Sequence, residues 1–283
     1  MAVTGISTSA LTGIYDDKAF PPAQAIPNAL ILSQTTVSKP IEGDAATLRV
    51  PYISTDSAAA IVAEGEEIEK GGAQFSVLNI KTRKVAVIET ITNEVYSESE
   101  VRRMLTDSMA QAITDKADAV FLQNTATDAA TNGAPIGIFN TVGAVDGGTI
   151  TDALDPIVTA LGKVAANGGS PTAIILNHAT WSQLLLLKFS DGRPMIEPSV
   201  ADSPTPMLYG IPIVINKMAP NNALAIIDRT DIISAVGAVS LSGSDQRYFE
   251  SDAYAIRGTF RSGWGVIHSD RLAIVHTTEG KAK

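Results

Sequence analysis

The sequence contains no cysteine, and this absence excludes disulfide bonds and thiolate metal sites. Long apolar runs are missing as well, since no stretch approaches the roughly 18 consecutive apolar residues that a membrane helix requires. Residues 1–10 lack the basic start and the apolar run of a secretion signal. We therefore expect no membrane partner, and synthesis in a cytoplasm.

Basic residues are fewer than acidic ones, with 21 lysines and arginines against 30 aspartates and glutamates and a net charge of −9. Tight nucleic-acid binding usually needs a basic patch, because each neutralised phosphate releases counterions. Lys81, Arg83 and Lys84 form the one basic cluster of the sequence. We therefore expect no sequence-specific binding of DNA or RNA, although an acidic wall is compatible with a container for DNA.

Sequence motifs typical of catalytic, metal-binding or phosphate-binding sites are also rare. No histidine has a second ligand at metal spacing, and the sequence has neither a GxSxG nucleophile elbow nor a phosphate-binding glycine loop. Asp115 and Asp118 lie one helical turn apart, on a face that we expect to be mostly solvated. Trp181 and Trp264 are expected to pack in the interior. We predict no catalytic residue, no cofactor and no metal, and therefore no enzyme.

Apolar material is sufficient for a large core, since 45% of the 283 residues are hydrophobic and 18% are charged. Residues 1–45 are the exception, because glycines and prolines interrupt short apolar patches and no period would bury one face. This segment is either a flexible terminus or an arm that lies along neighbouring subunits and is ordered only there.

Residues 46–92 predict an extended β-hairpin. Residues 46–55 and 75–92 are rich in β-branched residues, and the turn-like segment 62–72 between them is acidic. A second strand of about 18 residues would span roughly 60 Å, whereas typical strands have about 5–6 residues. Such a polar projection cannot be wholly buried in its own domain, and we expect it to need a partner surface.

Charges of opposite sign lie on this hairpin, with glutamates in the turn and basic residues in the second half. These charges either pair between subunits or remain solvated, and the sequence leaves both interpretations open. The candidate contact residues are Glu64, Glu66, Glu67, Glu69, Lys70, Lys81, Arg83 and Lys84.

The clearest helix is predicted over residues 97–123, where apolar residues recur at helical spacing and Ser97 with Glu100 forms a capping-box pattern. At about 1.5 Å per residue, this helix would be roughly 40 Å long. The pattern beyond it is mixed. It predicts helices over 152–166 and 180–188, strands over 172–176, 210–215 and 223–228, and mostly strands over 232–277.

Several short motifs occur in a fixed order along residues 45–277. They are Val62-Ala63-Glu64-Gly65 with Lys84-Val85-Ala86, Thr92-Asn93-Glu94-Val95, Ile174-Ile175-Leu176-Asn177 with Asp191-Gly192-Arg193, Tyr209-Gly210-Ile211-Pro212, and Arg271-Leu272-Ala273-Ile274-Val275. Their order, together with that of the predicted elements, resembles the major capsid proteins of tailed phages, which have the Hong Kong 97 fold.

The resemblance implies an α+β fold of this type, with an N-terminal arm, an extended hairpin loop, a peripheral domain with a long spine helix, and an axial α/β domain. The hairpin would lie over the peripheral domain of a neighbouring subunit, and the axial domain would point at the centre of the capsomer. The implied boundaries are 1–45 for the arm, 46–92 for the extended loop, 93–135 with 223–283 for the peripheral domain (spine helix 97–123), and 136–222 for the axial domain.

The resemblance also implies a structural function in the virion. Such proteins are made in the host cytoplasm and self-assemble as pentamers and hexamers into an icosahedral shell that encloses double-stranded DNA. A portal and a decoration protein are candidate partners. Residues 1–45 lack the charged helical scaffold of some family members, so a separate scaffolding protein, or none, is expected. The nearest alternative is an encapsulin, a compartment with the same fold that holds enzymes, and a remote one is a soluble α/β enzyme.

One branch of the family joins its subunits by an isopeptide bond between a loop lysine and an asparagine, assisted by a glutamate. Lys70 resembles the lysine, but the aligned positions hold Asp252 and Thr259. An aspartate is a poor substitute for the asparagine, and we predict no covalent cross-link.

Overall fold

In the part of the chain that the structure describes, two six-stranded sheets and one two-stranded hairpin form the framework. The structure, a computed structural model, describes residues 17–41, 45–55, 57, 59, 61, 62, 65, 67, 70–196 and 206–278. Helices pack against both large sheets, so the predicted α+β class is confirmed.

Strands and helices alternate irregularly along the chain. The strands are β1 Asp17–Phe20, β2 Thr36–Pro40, β3 Thr47–Thr55, β4 Gln74–Lys81, β5 Arg83–Thr92, β6 Val145–Ile150, β7 Ala173–Leu176, β8 Met207–Leu208, β9 Ile211–Ile215, β10 Ala223–Ile227, β11 Ile232–Val236, β12 Val239–Tyr248, β13 Ala253–Val266 and β14 Ala273–Thr277. The helices are α1 Pro22–Ala25, α2 Leu30–Ser33, α3 Asn93–Tyr96, α4 Ser99–Gln123, α5 Ala126–Asn132, α6 Asp155–Ala166 and α7 His178–Leu185.

The first sheet packs one face against the long helix α4. Its strand order is β1-β12-β13-β11-β2, and β5 pairs with β13. Ile113 and Phe121 of the helix are buried against the sheet, and the Phe121 ring meets the Trp264 ring edge-on at 5.3 Å between centroids. The Trp264 indole N–H donates to the Ile136 carbonyl at 2.9 Å, which satisfies its one polar atom. The predicted packing role of Trp264 is confirmed.

The second sheet has the strand order β6-β14-β10-β7-β9-β8. Every residue of its central strands β7 and β10 is buried, which explains why these runs are continuously apolar instead of alternating. Helices α6 and α7 pack against it through Ile157, Val164 and Leu184, with Trp181 half-buried beside them.

The predicted domain boundary at residue 222 is corrected by this sheet. The predicted boundary assigns β10 and β14 to the peripheral domain, whereas β10 pairs with β7 and β14 pairs with β6. Both strands therefore belong to the second sheet. The physical reason is that strands pair with partners that are distant in the sequence. A single boundary position along the sequence cannot represent such pairing.

Residues 17–41 are part of the chain's own core, so the predicted arm is wrong for this segment. β1 pairs with β12 and β2 pairs with β11, which makes both ends of the segment strands of the first sheet. Between them, Ile26, Leu30 and Ile31 are almost fully buried. The prediction failed because these residues lie in and beside helices of a single turn, which are too short to show a period. Residues 1–16 lie outside the described part of the chain.

The long helix α4 begins at Ser99, two residues later than predicted, and ends at Gln123 as predicted. The predicted capping box is wrong. The Ser97 hydroxyl donates to the Glu94 carbonyl at 2.6 Å instead, because Asn93–Tyr96 form a separate helical turn that Ser97 closes. The other helices and strands that we predicted beyond this helix agree with the structure to within a few residues.

Asp118 of helix α4 joins three parts of the chain in the interior, where it is 3% exposed. Its Oδ1 accepts a hydrogen bond from the Leu30 backbone N–H at 2.9 Å, and its Oδ2 accepts one from the Asn216 side-chain amide at 2.8 Å. The expectation of a solvated face is therefore wrong for Asp118. Asp115, one turn earlier, remains partly exposed and forms an ion pair with Lys217 at 2.6 Å.

Burial raises the pKa of the Asp118 carboxyl from 3.8 to about 6, because desolvation disfavours its charged form more than the hydrogen bonds from Leu30 and Asn216 favour it. Between these two pH values the folded chain holds a proton that the unfolded chain has released. The contribution of Asp118 to stability is therefore full below pH 3.8 and is lost as the pH rises through about 6.

We predict that Asp118→Asn removes this component of the pH dependence of stability. Relative to the variant, the wild-type chain should lose about 3 kcal/mol of unfolding free energy between about pH 4 and pH 7, since one pKa unit corresponds to about 1.4 kcal/mol. Urea unfolding of the unassembled subunit at a series of pH values measures the difference. Asp107→Asn, which replaces an exposed aspartate of the same helix, is the matched control and should follow the wild type. Parallel pH curves for the wild type and Asp118→Asn would contradict the prediction.

Candidate functional site: the projecting hairpin

The hairpin of β3 and β4 is a separate two-stranded sheet. Its antiparallel register runs from Thr47 opposite Lys81 at the base to Ile53 opposite Phe75 near the turn. A lone hairpin of two strands is only marginally stable in water. This hairpin therefore depends on the surfaces that contact it.

The base of the hairpin is anchored at Thr82, a buried residue between β4 and β5. Its backbone N–H donates to the Ala46 carbonyl at 2.9 Å, and its hydroxyl donates to the Ala45 carbonyl. The Arg261 guanidinium donates to the Thr82 hydroxyl oxygen at 3.2 Å. Thr82 thus joins the first strand of the hairpin, the second strand and the first sheet at one point.

The predicted hairpin of residues 46–92 is too long. At Thr82 the predicted second strand divides, so that β4 pairs with β3 whereas β5 pairs with β13 in the first sheet. The hairpin of the structure therefore ends at residue 81. The alternation of side chains continues across Thr82 in the sequence, which is why the change of hydrogen-bond partner was not predicted.

Two glycines of β13 allow the hairpin base to approach the first sheet closely. A Cβ atom at Gly263 would collide with the Lys81 carbonyl, and one at Gly265 would lie 2.9 Å from the Leu78 side chain. Ile80 is fully buried at this contact. The first sheet therefore holds the base of the hairpin, and the hairpin beyond the base projects.

The hairpin has an inner and an outer face, because cross-strand partners share a face and successive residues alternate. The inner face packs on the body of the chain through Leu48, Val50, Leu78 and Ile80. The outer face carries Ile53, Phe75 and Val77, which are 45%, 78% and 52% exposed. We call these three residues the outer stripe. An exposed apolar patch on a thin projection marks an interaction surface.

The residues of the outer stripe are not among the contact residues predicted from the sequence. A signal for it exists, since β4 has apolar residues at both odd and even positions around Val77-Leu78. In a two-stranded sheet, one set of these positions must face away from the body of the chain.

The predicted charged contact residues lie at opposite ends of the hairpin. Glu67 and Lys70 are exposed in the segment that connects the strands, whereas Lys81 is exposed at the base. The register therefore separates Glu67 from Lys81 within one copy. The candidates that lie outside the described residues are Glu64, Glu66 and Glu69.

Arg83 and Lys84 begin β5 beyond the hairpin. The Arg83 guanidinium packs against the backbone at Gly133, where helix α5 ends, so closely that a Cβ atom at Gly133 would collide with it. Lys84 lies directly across from Arg261 of β13. Arg83 thus lies against its own chain, and Lys84 belongs to a basic region of the first sheet.

The positions aligned with the cross-linking residues lie on and beside β13. Asp252 is exposed, has a φ of 45°, and accepts a hydrogen bond from the Asn93 side-chain amide at 2.6 Å. Thr259 is paired within the sheet, opposite Ser240 and Ala86. The absence of a covalent cross-link stays a prediction.

The described residues provide little evidence for a metal site or a membrane-spanning helix. That part of the chain contains no group of three or more metal-ligating side chains. His268 Nδ1 lies 2.7 Å from Asp231 Oδ1, so this histidine has a hydrogen-bond partner within the chain. Among the described helices, each is too short or too polar to span a bilayer.

Comparison with known proteins identifies the fold. A model of the phage capsid family matches residues 27–276, which is most of the chain. Comparison with curated proteins gives no match. Among solved structures, a chain of Gordonia phage Cozz is similar, with a TM-score of 0.68 and 17% identity over 89% of this chain and 87% of that chain.

Two further solved structures show the same likeness. A chain of the capsid of an empty GTA particle computed with C5 symmetry has a TM-score of 0.70 and 16% identity, over 89% of this chain and 90% of that chain. A chain of Microbacterium phage Oxtober96 has a TM-score of 0.69 and 18% identity, over 97% of this chain and all of that chain (100%). At such low identities the likeness shows a shared fold.

We predict that Gly263→Ala loosens the hairpin base. The added methyl group meets the Lys81 carbonyl, so the unfolding free energy of the unassembled subunit should fall by about 1–3 kcal/mol, as for other overpacked sites. Amide hydrogen exchange of β3 and β4 should also accelerate. Gly162→Ala is the control, because its Cβ meets nothing within 4 Å and alanine favours helix α6 by up to about 1 kcal/mol. Equal stability changes in the two variants would contradict this account of the contact.

Proposed function

The chain belongs to the phage capsid family, and from that premise we propose that it assembles as pentamers and hexamers into an icosahedral shell that encloses double-stranded DNA. Its function is structural, and its place is the capsid of the virion. The family match favours this function over the encapsulin alternative. Synthesis in the host cytoplasm, a separate scaffolding protein, a portal and a decoration protein are part of the proposal.

The outer stripe is the observation that carries the proposal. Phe75, with 78% of its surface exposed, lies on a projection only two strands wide, beside Ile53 and Val77. Full burial of one such side chain contributes about 1.5–3 kcal/mol. Another copy of the chain can cover the stripe, and a closed symmetric shell repeats that contact at every subunit.

The two sheets correspond to the two lobes that a capsid subunit needs. We assign the first sheet with helix α4 to the peripheral domain, and the second sheet with α6 and α7 to the axial domain. In the shell, the hairpin lies over the peripheral domain of a neighbour, and the axial domain points at the capsomer centre. The net charge of −9 is consistent with DNA that is enclosed without sequence-specific contacts.

No isopeptide bond joins the subunits, because the position aligned with the partner of Lys70 holds an exposed aspartate, Asp252, instead of an asparagine. The stability of the shell therefore comes from many copies of one weak, non-covalent contact. An aspartate carboxylate is not activated toward attack by an amine. Non-covalent contacts that spread over several neighbours take the place of a cross-link.

We predict that Phe75→Ser prevents assembly and leaves the subunit folded, since the side chain contributes to the outer stripe and little to the core of its own chain. Size-exclusion chromatography and negative-stain microscopy measure shell yield, and circular dichroism measures folding. Phe189→Ser is the control, because Phe189 is 50% exposed and lies away from the hairpin, beyond helix α7. Shells of Phe75→Ser at the wild-type yield would overturn the assignment of the stripe, and a wild-type chain that stays monomeric at high concentration would overturn the proposed function.

We also predict that assembled wild-type shells dissolve on denaturing gels into monomers of 29.6 kDa. The reason is the absence of an asparagine at the cross-linking position. Shells of a variant with Asp252→Asn and Thr259→Glu test whether those two positions are the cause. Covalent multimers from the wild-type chain would contradict the prediction.

A further inference from the structure

The face of the first sheet that points away from helix α4 has an unusual composition. Val85, Val87 and Phe260 point to the core, so the alternate residues of the same strands form the opposite face. By register, that face consists of Lys84, Ala86, Ile88 and Thr90 on β5, Ala255, Arg257, Thr259 and Arg261 on β13, and Ser240, Ser242 and Ser244 on β12. These positions of β5, β12 and β13 include three cations and five hydroxyls, in a chain with a net charge of −9, and β1 adds Asp17 opposite Ser242.

A cleft of about 290 Å³ opens on this face. We call it the arginine cleft, and its lining residues are Ile88, Ser242, Gly243, Ser244, Arg247, Ala255 and Arg257. The Arg257 guanidinium donates to the Ser242 hydroxyl at 3.2 Å, and the Arg247 guanidinium lies over the Tyr248 ring at 5.5 Å. Both guanidinium groups are thus oriented by the chain itself while their residues remain exposed.

Two oriented guanidinium groups with neighbouring hydroxyls form a receptor for carboxylates. A guanidinium offers two parallel N–H donors that match the two oxygens of a carboxylate, and serine hydroxyls add further donors. The small residue Ala255 leaves the cleft open for a side chain that enters from outside.

The hairpin turn has the complementary charge, with Glu64, Glu66, Glu67 and Glu69 within six residues of the sequence. Glu67, in the described part of the turn, is exposed. The sequence has no other segment with this density of glutamates. Charge complementarity therefore selects the turn as the acidic partner.

A turn cannot reach the arginine cleft of its own copy. The cleft lies at residues 255–257 of β13, whereas the hairpin base contacts Gly263 and Gly265 of the same strand. Because Lys81 meets Gly263 and Leu78 meets Gly265, the hairpin extends along β13 away from the cleft. The cleft and the base are already separated by roughly 26 Å, at about 3.3 Å per residue.

We propose that the arginine cleft binds glutamates of the hairpin turn of a neighbouring copy. This inference rests on the proposed shell function and names the receptor for the turn, with Arg247 and Arg257 as the residues that bind its carboxylates. Each copy then carries the acidic group at one end of its β3–β4 projection and the basic group at the far end of β13. Such a head-to-tail contact generates closed rings when the rotation between copies closes.

The chain has no native cysteine, so a pair of introduced cysteines tests proximity directly. Shells of Glu67→Cys with Ser244→Cys, treated with a short bismaleimide, should give a ladder of covalent multimers on denaturing gels. Glu67→Cys with Ser190→Cys is the matched control, because Ser190 is an exposed serine in the loop after helix α7 and should give monomers.

The outcomes separate the two proposals. Shells that form normally but give no ladder with Ser244→Cys, or the same ladder with Ser190→Cys, overturn the cleft proposal and leave the shell function standing. If the unmodified chain forms no shells, the shell function itself fails and the cleft proposal fails with it.

Charge exchange provides a second test. Arg247→Glu with Arg257→Glu should lower the shell yield by at least about tenfold, because a lost contact is repeated at every copy, and the subunit should remain folded. Adding Glu66→Lys, Glu67→Lys and Glu69→Lys should restore most of the yield. Arg103→Glu, an exposed arginine of helix α4, is the control and should assemble normally. Normal assembly of the cleft variant overturns the proposal, and if that variant also loses packaged DNA, the cleft contacts nucleic acid instead.

Discussion

The close contact between the hairpin base and β13 fixes the geometry on which the rest of the molecule's function depends. Gly263 and Gly265 leave room for the Lys81 carbonyl and the Leu78 side chain, and Ile80 is buried between them. Since the base is held, the hairpin has a direction, and its outer stripe faces away from the body of the chain. A side chain at Gly263 would displace the base and with it the whole projection.

This direction gives every subunit two unlike ends. The hairpin carries apolar residues and an acidic turn, whereas the far end of β13 carries the arginine cleft. A subunit with unlike ends binds its neighbours head to tail, which is the kind of contact that builds rings and shells from one chain. In the shell that we propose, the apolar stripe contributes most of the binding free energy, and the charges contribute register, because exposed ion pairs are individually weak.

A second constraint lies in the interior, at Asp118. The carboxylate accepts hydrogen bonds from the N-terminal segment at Leu30 and from Asn216 beyond β9, so the long helix is tied to both. Charge in the interior is costly, and the raised pKa of Asp118 reflects that cost. Motion between the two sheets would have to disturb this junction, which also includes the Asp115–Lys217 ion pair.

Local patterns in the sequence determined the long helix to within two residues, the buried strands β7 and β10, and the acidic hairpin turn, because periodicity and turn residues are encoded by near neighbours. The order of motifs also led to the correct family. Only the tertiary structure decided that residues 17–41 enter the core, that the second hairpin strand divides at Thr82, and that Asp118 is buried. It also brought Arg247 and Arg257 to one cleft with serines of β12. These features depend on which distant strands pair and on which face a helix buries, and no window of neighbouring residues contains that information.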